Sequence, residues 1–184
     1  MFTSLNTFRS KVAEKFSISS FEFSESYLYF WDILEKSNLF LENAIVTASK
    51  PWDDRYVEWY FKAPVDDGGM WSSYINIVEK YGVVPKNVMP ESNSSSNTSQ
   101  MLRMVNRKLR EQGYLLREIA TNKKNKPEDI QNEKIKMLGD IYRMLCLNLG
   151  EPPAEFTWRY KDKNDNISGI KKYTPTSFLA EVLP

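Results

Sequence analysis

Apolar positions along this chain recur mostly three or four apart, the spacing that lines one face of a helix. Phe2, Leu5, Phe8, Val12 and Phe16 form the first such stripe. It is already in its apolar repeat at Met1 and Phe2, with no capping side chain ahead of it to take up the first backbone N–H groups, so this helix has no visible start. After a polar break at Ser17 to Ser20, Phe21 to Phe23 lead to Ser24, which is predicted to cap a helix carrying Tyr27, Phe30, Trp31, Leu34 and Leu41. So many large rings predict a buried helix. Asp53 or Asp54 opens a further helix with Val57, Trp59, Tyr60 and Phe61, which Pro64 and the Asp67-Gly68-Gly69 turn stop. The next helix, Trp71 to Lys80, ends at Gly82, where a left-handed cap costs a glycine little.

Residues 91–99, Glu-Ser-Asn-Ser-Ser-Ser-Asn-Thr-Ser, offer little that can pack, and they read as a surface loop and the best internal boundary. Met101, Val105 and Leu109 then begin a basic amphipathic helix, and Lys123 to Lys126 form a solvated connection. Pro127, Glu128 and Asp129 suit the first turn of another helix, since proline loses nothing there and carboxylates favour the positive end of the dipole. That helix runs through Leu138, Ile141, Leu145 and Leu149 to Gly150, and Pro152 and Pro153 block its continuation. The period then changes. Phe156, Trp158 and Tyr160 alternate with polar residues, predicting a strand that the Asn164-Asp165-Asn166 turn returns as a hairpin. Thr174-Pro175 begins a last helix.

Charge adds little to this picture: 25 basic side chains nearly cancel 24 acidic ones, leaving +1 over 184 residues. Neither nucleic acid nor an anionic membrane is an expected partner. No apolar run approaches the roughly 18 residues of a membrane span, and one cysteine allows no internal disulfide, so a cytoplasmic home is expected. Chemistry is constrained more sharply. The chain contains no histidine, the side chain on which most general-base catalysis at neutral pH depends.

The remaining candidates have structural readings. Cys146 lies beside an apolar stripe near the electronegative end of its helix, which disfavours a thiolate. Asp53-Asp54 and Asp66-Asp67 read as caps and turns. Arg103, Arg107, Lys108 and Arg110 read as a solvated face. With no histidine and one cysteine, no metal and no cofactor is expected. Asp67-Gly68-Gly69-Met70-Trp71 is the run of most interest, because two glycines before a helix let another backbone approach without a side-chain clash.

Six stretches together resemble one family, in order along nearly the whole chain. They are Leu-Asn-Thr-Phe-Arg-Ser-Lys-Val at 5–12, Phe-Glu-Phe-Ser-Glu-Ser-Tyr-Leu at 21–28 and Phe-Trp-Asp-Ile-Leu-Glu-Lys-Ser-Asn at 30–38. The others are Pro-Val-Asp-Asp-Gly-Gly-Met-Trp at 64–71, Glu-Lys-Tyr-Gly-Val-Val-Pro-Lys at 79–86 and Phe-Thr-Trp-Arg-Tyr-Lys-Asp-Lys at 156–163. The family they resemble is the aminopeptidase C and bleomycin hydrolase group of papain-like cysteine peptidases. The resemblance implies an α+β, mainly helical fold. Residues 1–90 would form the helical left lobe and residues 91–184 a family-specific insertion of helices and a hairpin, with no counterpart of the β-rich right lobe.

It also implies that the chain begins just after the family's nucleophilic cysteine. The oxyanion glutamine, the catalytic histidine and the catalytic asparagine likewise have no matching positions here, so no catalytic residue is carried over and no activity is expected of the chain alone. Carried over instead is Gly68-Gly69, resembling the papain-like strand whose backbone hydrogen-bonds an extended peptide, with Met70 and Trp71 near the pocket wall. The resemblance further implies homohexamers whose active sites face an internal cavity, an assembly not expected of this chain by itself. The other reading is a non-catalytic helical interaction module.

Overall fold

The computed structural model describes residues 8–183, so the part of the first stripe formed by Phe2 and Leu5 lies outside the described residues. The chain divides into two compact units. The first holds the chain up to Asp32 together with Gly68–Ser95 and the segment from Leu149 onward, and the second holds Ile33–Asp67 and Ser96–Asn148. The fold is mainly helical, with one two-stranded sheet among the described residues.

In the first unit, helix α1 (Arg9–Lys15) buries Val12. Helix α2 (Glu25–Val46) starts here and continues into the second unit. Ser24 caps it as the sequence predicts, accepting the Tyr27 N–H at 3.0 Å. Tyr27, Leu28, Tyr29 and Phe30 are all buried. Helix α4 (Trp71–Tyr81) ends at Gly82, which has φ +74° and ψ −160°. That conformation is essentially reserved for glycine. A Cβ there would also stand 2.2 Å from the carbonyl carbon of Pro175.

The predicted hairpin is present. Strand β1 (Phe156–Trp158) pairs antiparallel with β2 (Lys171–Tyr173), Phe156 facing Tyr173 and Trp158 facing Lys171. Asp162 ties its tip by accepting the backbone N–H groups of Asn164 and Asn166, and these bonds with the Asn166 amide hold its carboxyl below the usual range. Helix α8 (Pro175–Val182) opens with a reciprocal cap between Thr174 and Ser177. It delivers Phe178, fully buried, against Phe156, Trp158 and Tyr173 at ring separations of 5.4, 5.2 and 5.2 Å. Edge-to-face pairs of this kind add roughly 0.5–1.5 kcal/mol each beyond the area they bury.

One loop expectation is corrected here. Residues 91–99 are not a plain loop, because Asn93–Ser96 form a short helix, α5. Ser92 and Ser95 exchange hydroxyl-to-amide bonds at 2.8 and 3.0 Å. Glu91 accepts from the Ser26 hydroxyl at 2.9 Å. Low hydrophobicity concealed a turn organised by serine hydroxyls.

The second unit is built from the rest of α2 with α3 (Arg55–Lys62), α6 (Ser99–Thr121) and α7 (Pro127–Leu149). Asp54 caps α3, accepting from the Tyr56 and Val57 N–H groups at 2.9 and 3.3 Å. Gly113 lets α6 come close to α2, since a Cβ there would stand 2.8 Å from the Phe40 ring. On α7 the expected Ile141, Leu145 and Leu149 are buried, and one turn earlier Met137 is buried in place of the expected Leu138, which is only half-buried. The shift of one residue follows Lys134, which is buried and pairs with Glu42.

Candidate functional site

Gly68, Gly69, Met70 and Trp71 lie together at the entry to α4, and all four are exposed. Residues 63–70 belong to no helix or strand. Met70 is the residue before the helix, in an extended conformation (φ −91°, ψ 155°), and α4 receives no side-chain cap. Its side chain is 74% exposed and that of Trp71 is 52% exposed. Beneath them the buried Tyr74 is an anchor: its N–H donates to the Met70 carbonyl at 3.2 Å, and its ring stacks on Trp71 at 5.2 Å and 26°. Burial, with the Glu25 charge adding to it, pushes the Tyr74 hydroxyl well up. The two glycines and two large side chains thus form an open backbone segment ending on a rigid helix start.

Upstream of Gly68 the chain is tied down within the second unit. Asn106 of α6 takes both backbone groups of Val65: the Val65 N–H donates to Asn106 Oδ1 at 2.9 Å, and Asn106 Nδ2 donates to the Val65 carbonyl at 2.9 Å. One turn on, Arg110 donates to the carbonyls of Phe61 and Lys62 at 2.8 and 2.7 Å. Lys36 donates to the Asp66 carbonyl at 2.9 Å, and the Thr98 hydroxyl to Asp67 at 2.8 Å. Arg110 is exposed, as expected of a solvated face, and its guanidinium also closes the end of α3. Arg103 and Arg107 are exposed, whereas Lys108 pairs with Glu111.

The other acidic candidates do not converge. Asp54 is committed to its cap; burial opposes its charge, but the Tyr56 and Val57 N–H groups and Lys50 more than compensate and hold its carboxyl low. Asp66 and Asp67 serve the turn. Cys146 is half-buried in the last turn of α7, and with no histidine anywhere in the sequence it has no imidazole to activate it. Among the described residues no group of three or more His, Cys, Asp or Glu side chains forms a metal site, and no helix is long and apolar enough to cross a membrane. An open concavity of about 1330 Å³ in the first unit, with Arg9, Lys86, Trp158 and Tyr160 on its walls, includes none of residues 68–71.

The sequence does not single out Asn106, and it marks Arg110 only as part of a basic face. Their signal was spacing: Asn106, Arg110 and Arg117 sit at intervals of four and seven, next to the buried stripe of Val105, Leu109, Gln112 and Leu116. Polar residues bordering an apolar stripe at helical intervals are placed to reach backbone on the neighbouring element.

The family profile for the peptidase C1-like family matches residues 1–183. The chain belongs to this family. Among curated proteins, an aminopeptidase C of Listeria monocytogenes is 42% identical over 178 residues, 97% of this chain and 40% of that protein. A bleomycin hydrolase of Mus musculus is 42% identical over 183 residues, 98% of this chain and 40% of that protein. The crystal structure of pepw from Lactobacillus rhamnosis superposes with a TM-score of 0.92 at 40% identity, covering 98% of this chain and 40% of that one. The chain thus spans about 40% of the length of the curated peptidase C1-like relatives it matches.

Proposed function

We propose that this chain is the cleft-bearing part of a cytoplasmic cysteine aminopeptidase, binding an extended peptide along Gly68-Gly69 with Met70 and Trp71 beside it. The observation that carries this reading is the exposed Gly68–Trp71 segment, held upstream by α6 side chains and downstream by α4. With no side chain in the way, a glycine backbone lets an extended peptide approach as a neighbouring strand would. In this reading residues 1–90 are the helical left lobe and residues 91–184 the family's insertion.

The complete enzyme would release N-terminal residues through a thioester. A thiolate attacks the scissile carbonyl, the amine leaves with a proton delivered by an imidazolium, and water hydrolyses the acyl-enzyme. Neither reacting group is assigned to this chain. The lack of histidine and the position of Cys146 at the electronegative end of α7 support that assignment. The family's hexamer is likewise a property proposed for the complete enzyme and not for these residues alone.

The test is hydrolysis of an aminoacyl-coumarin amide by the purified 184-residue chain. The proposal expects release no faster than buffer. Turnover abolished by iodoacetamide would overturn it, because Cys146 would then be a working nucleophile.

A further inference from the structure

The backbone from Phe61 to Asp67 is held by side chains where a strand would be held by a neighbouring strand. The bonds at Val65 are part-buried, and backbone groups in such places need partners. Arg110 serves Phe61 and Lys62, Lys36 serves Asp66, and Thr98 holds the Asp67 carboxylate. Asn106 differs from these three in kind. Its carboxamide is both donor and acceptor, and it engages the N–H and the C=O of one residue, Val65, each at 2.9 Å. That is the hydrogen-bond pattern of a residue on a paired antiparallel strand. It fixes the rotation of the Val65 peptide units about the chain axis as well as their position.

Only Asp66 and Asp67 separate Val65 from Gly68. Two glycines in succession have wide conformational freedom, which costs entropy whenever a ligand requires one conformation. A segment that must present its backbone to a peptide gains affinity if its stem already points the right way.

We infer that Asn106 is a positioning residue for peptide binding: its two-point hold on Val65 orients the stem from which Gly68-Gly69 is presented. This rests on the reading of Gly68–Trp71 as the peptide-binding segment. Asn106 touches no substrate and acts through Val65. Charge is not its means, since a carboxamide carries none. Reciprocity is: a donor and an acceptor on one rigid plane, which alanine lacks and which aspartate supplies only in its acceptor half.

The experiment titrates an unblocked tripeptide, Ala-Phe-Ala, into the 15N-labelled full chain and into Asn106→Ala and Asn106→Asp. The readouts are the amide shifts of Gly68, Gly69 and Met70, the exchange rate of the Val65 N–H, and the melting midpoint. Asn106→Ala is expected to speed Val65 exchange at least tenfold and weaken the peptide at least tenfold, with a midpoint within a few degrees of wild type. Asn106→Asp keeps the acceptor for the Val65 N–H, so it is expected to retain slow Val65 exchange while recovering only part of the affinity. Equal affinity in all three proteins would overturn the positioning role and leave the peptide-binding reading intact. If Asn106→Ala does not fold, Asn106→Asp decides alone: unchanged affinity overturns the inference and a several-fold loss supports it. Absence of any saturable shift in the wild-type chain would instead defeat the peptide-binding reading, and the inference with it.

Discussion

The two units lean on different chemistry, although ring contacts such as Phe40–Phe61 and Trp52–Tyr114 occur in the second as well. In the first, Phe178 sits at the centre of a cluster with Phe21, Phe156, Trp158 and Tyr173, and the hairpin and α8 are held by these rings. In the second, long helices are joined by polar side chains that end on backbone. Arg117, buried in α6, donates to the Thr47 and Lys50 carbonyls at 2.6 Å each and to the Thr47 hydroxyl at 2.8 Å. Its guanidinium lies 4.4 Å from the centre of the Trp52 ring. Gln112 donates to the Met137 carbonyl at 3.0 Å. Apolar burial is non-directional and tolerates drift, whereas a hydrogen bond to a named carbonyl specifies position. The difference teaches where precision resides: the segment leading to Gly68 belongs to the unit fastened by directional bonds.

Paired truncations are the strongest way to break this comparison. Phe178→Ala is expected to cost about 3–5 kcal/mol, because it empties the centre of a fully buried ring cluster. Arg117→Ala is expected to cost about 2 kcal/mol, the scale of charge-assisted hydrogen bonds. Arg117→Lys should recover little of that loss, since an ammonium cannot reproduce the guanidinium fork that reaches three acceptors. Denaturant midpoints of the three variants measure this directly, and an Arg117 truncation costlier than that of Phe178 would reverse the ranking.

A smaller effect, seen only as pH rises above neutral, comes from Tyr27. Burial pushes its hydroxyl up to about 12 from an ordinary 10, with the nearby Tyr81 adding to the shift and Trp31 opposing it. The hydroxyl also donates to the Tyr81 carbonyl at 2.7 Å. A raised folded value means the neutral phenol favours the folded state. Its contribution is fully present below pH 10 and is lost as pH rises from 10 through 12. Thermal melts across that range should fall in wild type, and Tyr27→Phe should show a shallower alkaline limb. Parallel limbs in the two proteins would remove Tyr27 as the cause.

How much of this was legible follows from the same contrast. The caps Ser24, Asp54 and Thr174, the glycine stop at Gly82 and the alternation of Phe156, Trp158 and Tyr160 were all visible, because each is a local rule of residue type and spacing. The exposed run Gly68–Trp71 was visible as a motif. The long-range bonds were not: Asn106, which holds Val65 upstream of that run, lies 41 positions from it, and Arg117 lies 70 from Thr47. A polar side chain on a helix reads as surface until the element it reaches is known, which is why the backbone partners of the exposed Arg110 and the burial of Lys134 are not legible in the sequence. The short helix in the serine run at 91–99 is hidden for a related reason, since the Ser92 and Ser95 hydroxyls accept from each other's backbone N–H groups and Ser95 donates to Glu91.

The proposed function joins a peptide-binding backbone at Gly68-Gly69 to the lack of acyl-transfer chemistry in this chain. The most direct test is titration of an unblocked tripeptide into the 15N-labelled wild-type chain, read at the amides of Gly68 and Gly69 and at the Trp71 indole N–H. The account predicts saturable shifts concentrated on residues 68–71, with the peptide recovered uncleaved. Saturable shifts confined to other residues, or none at all, would contradict it.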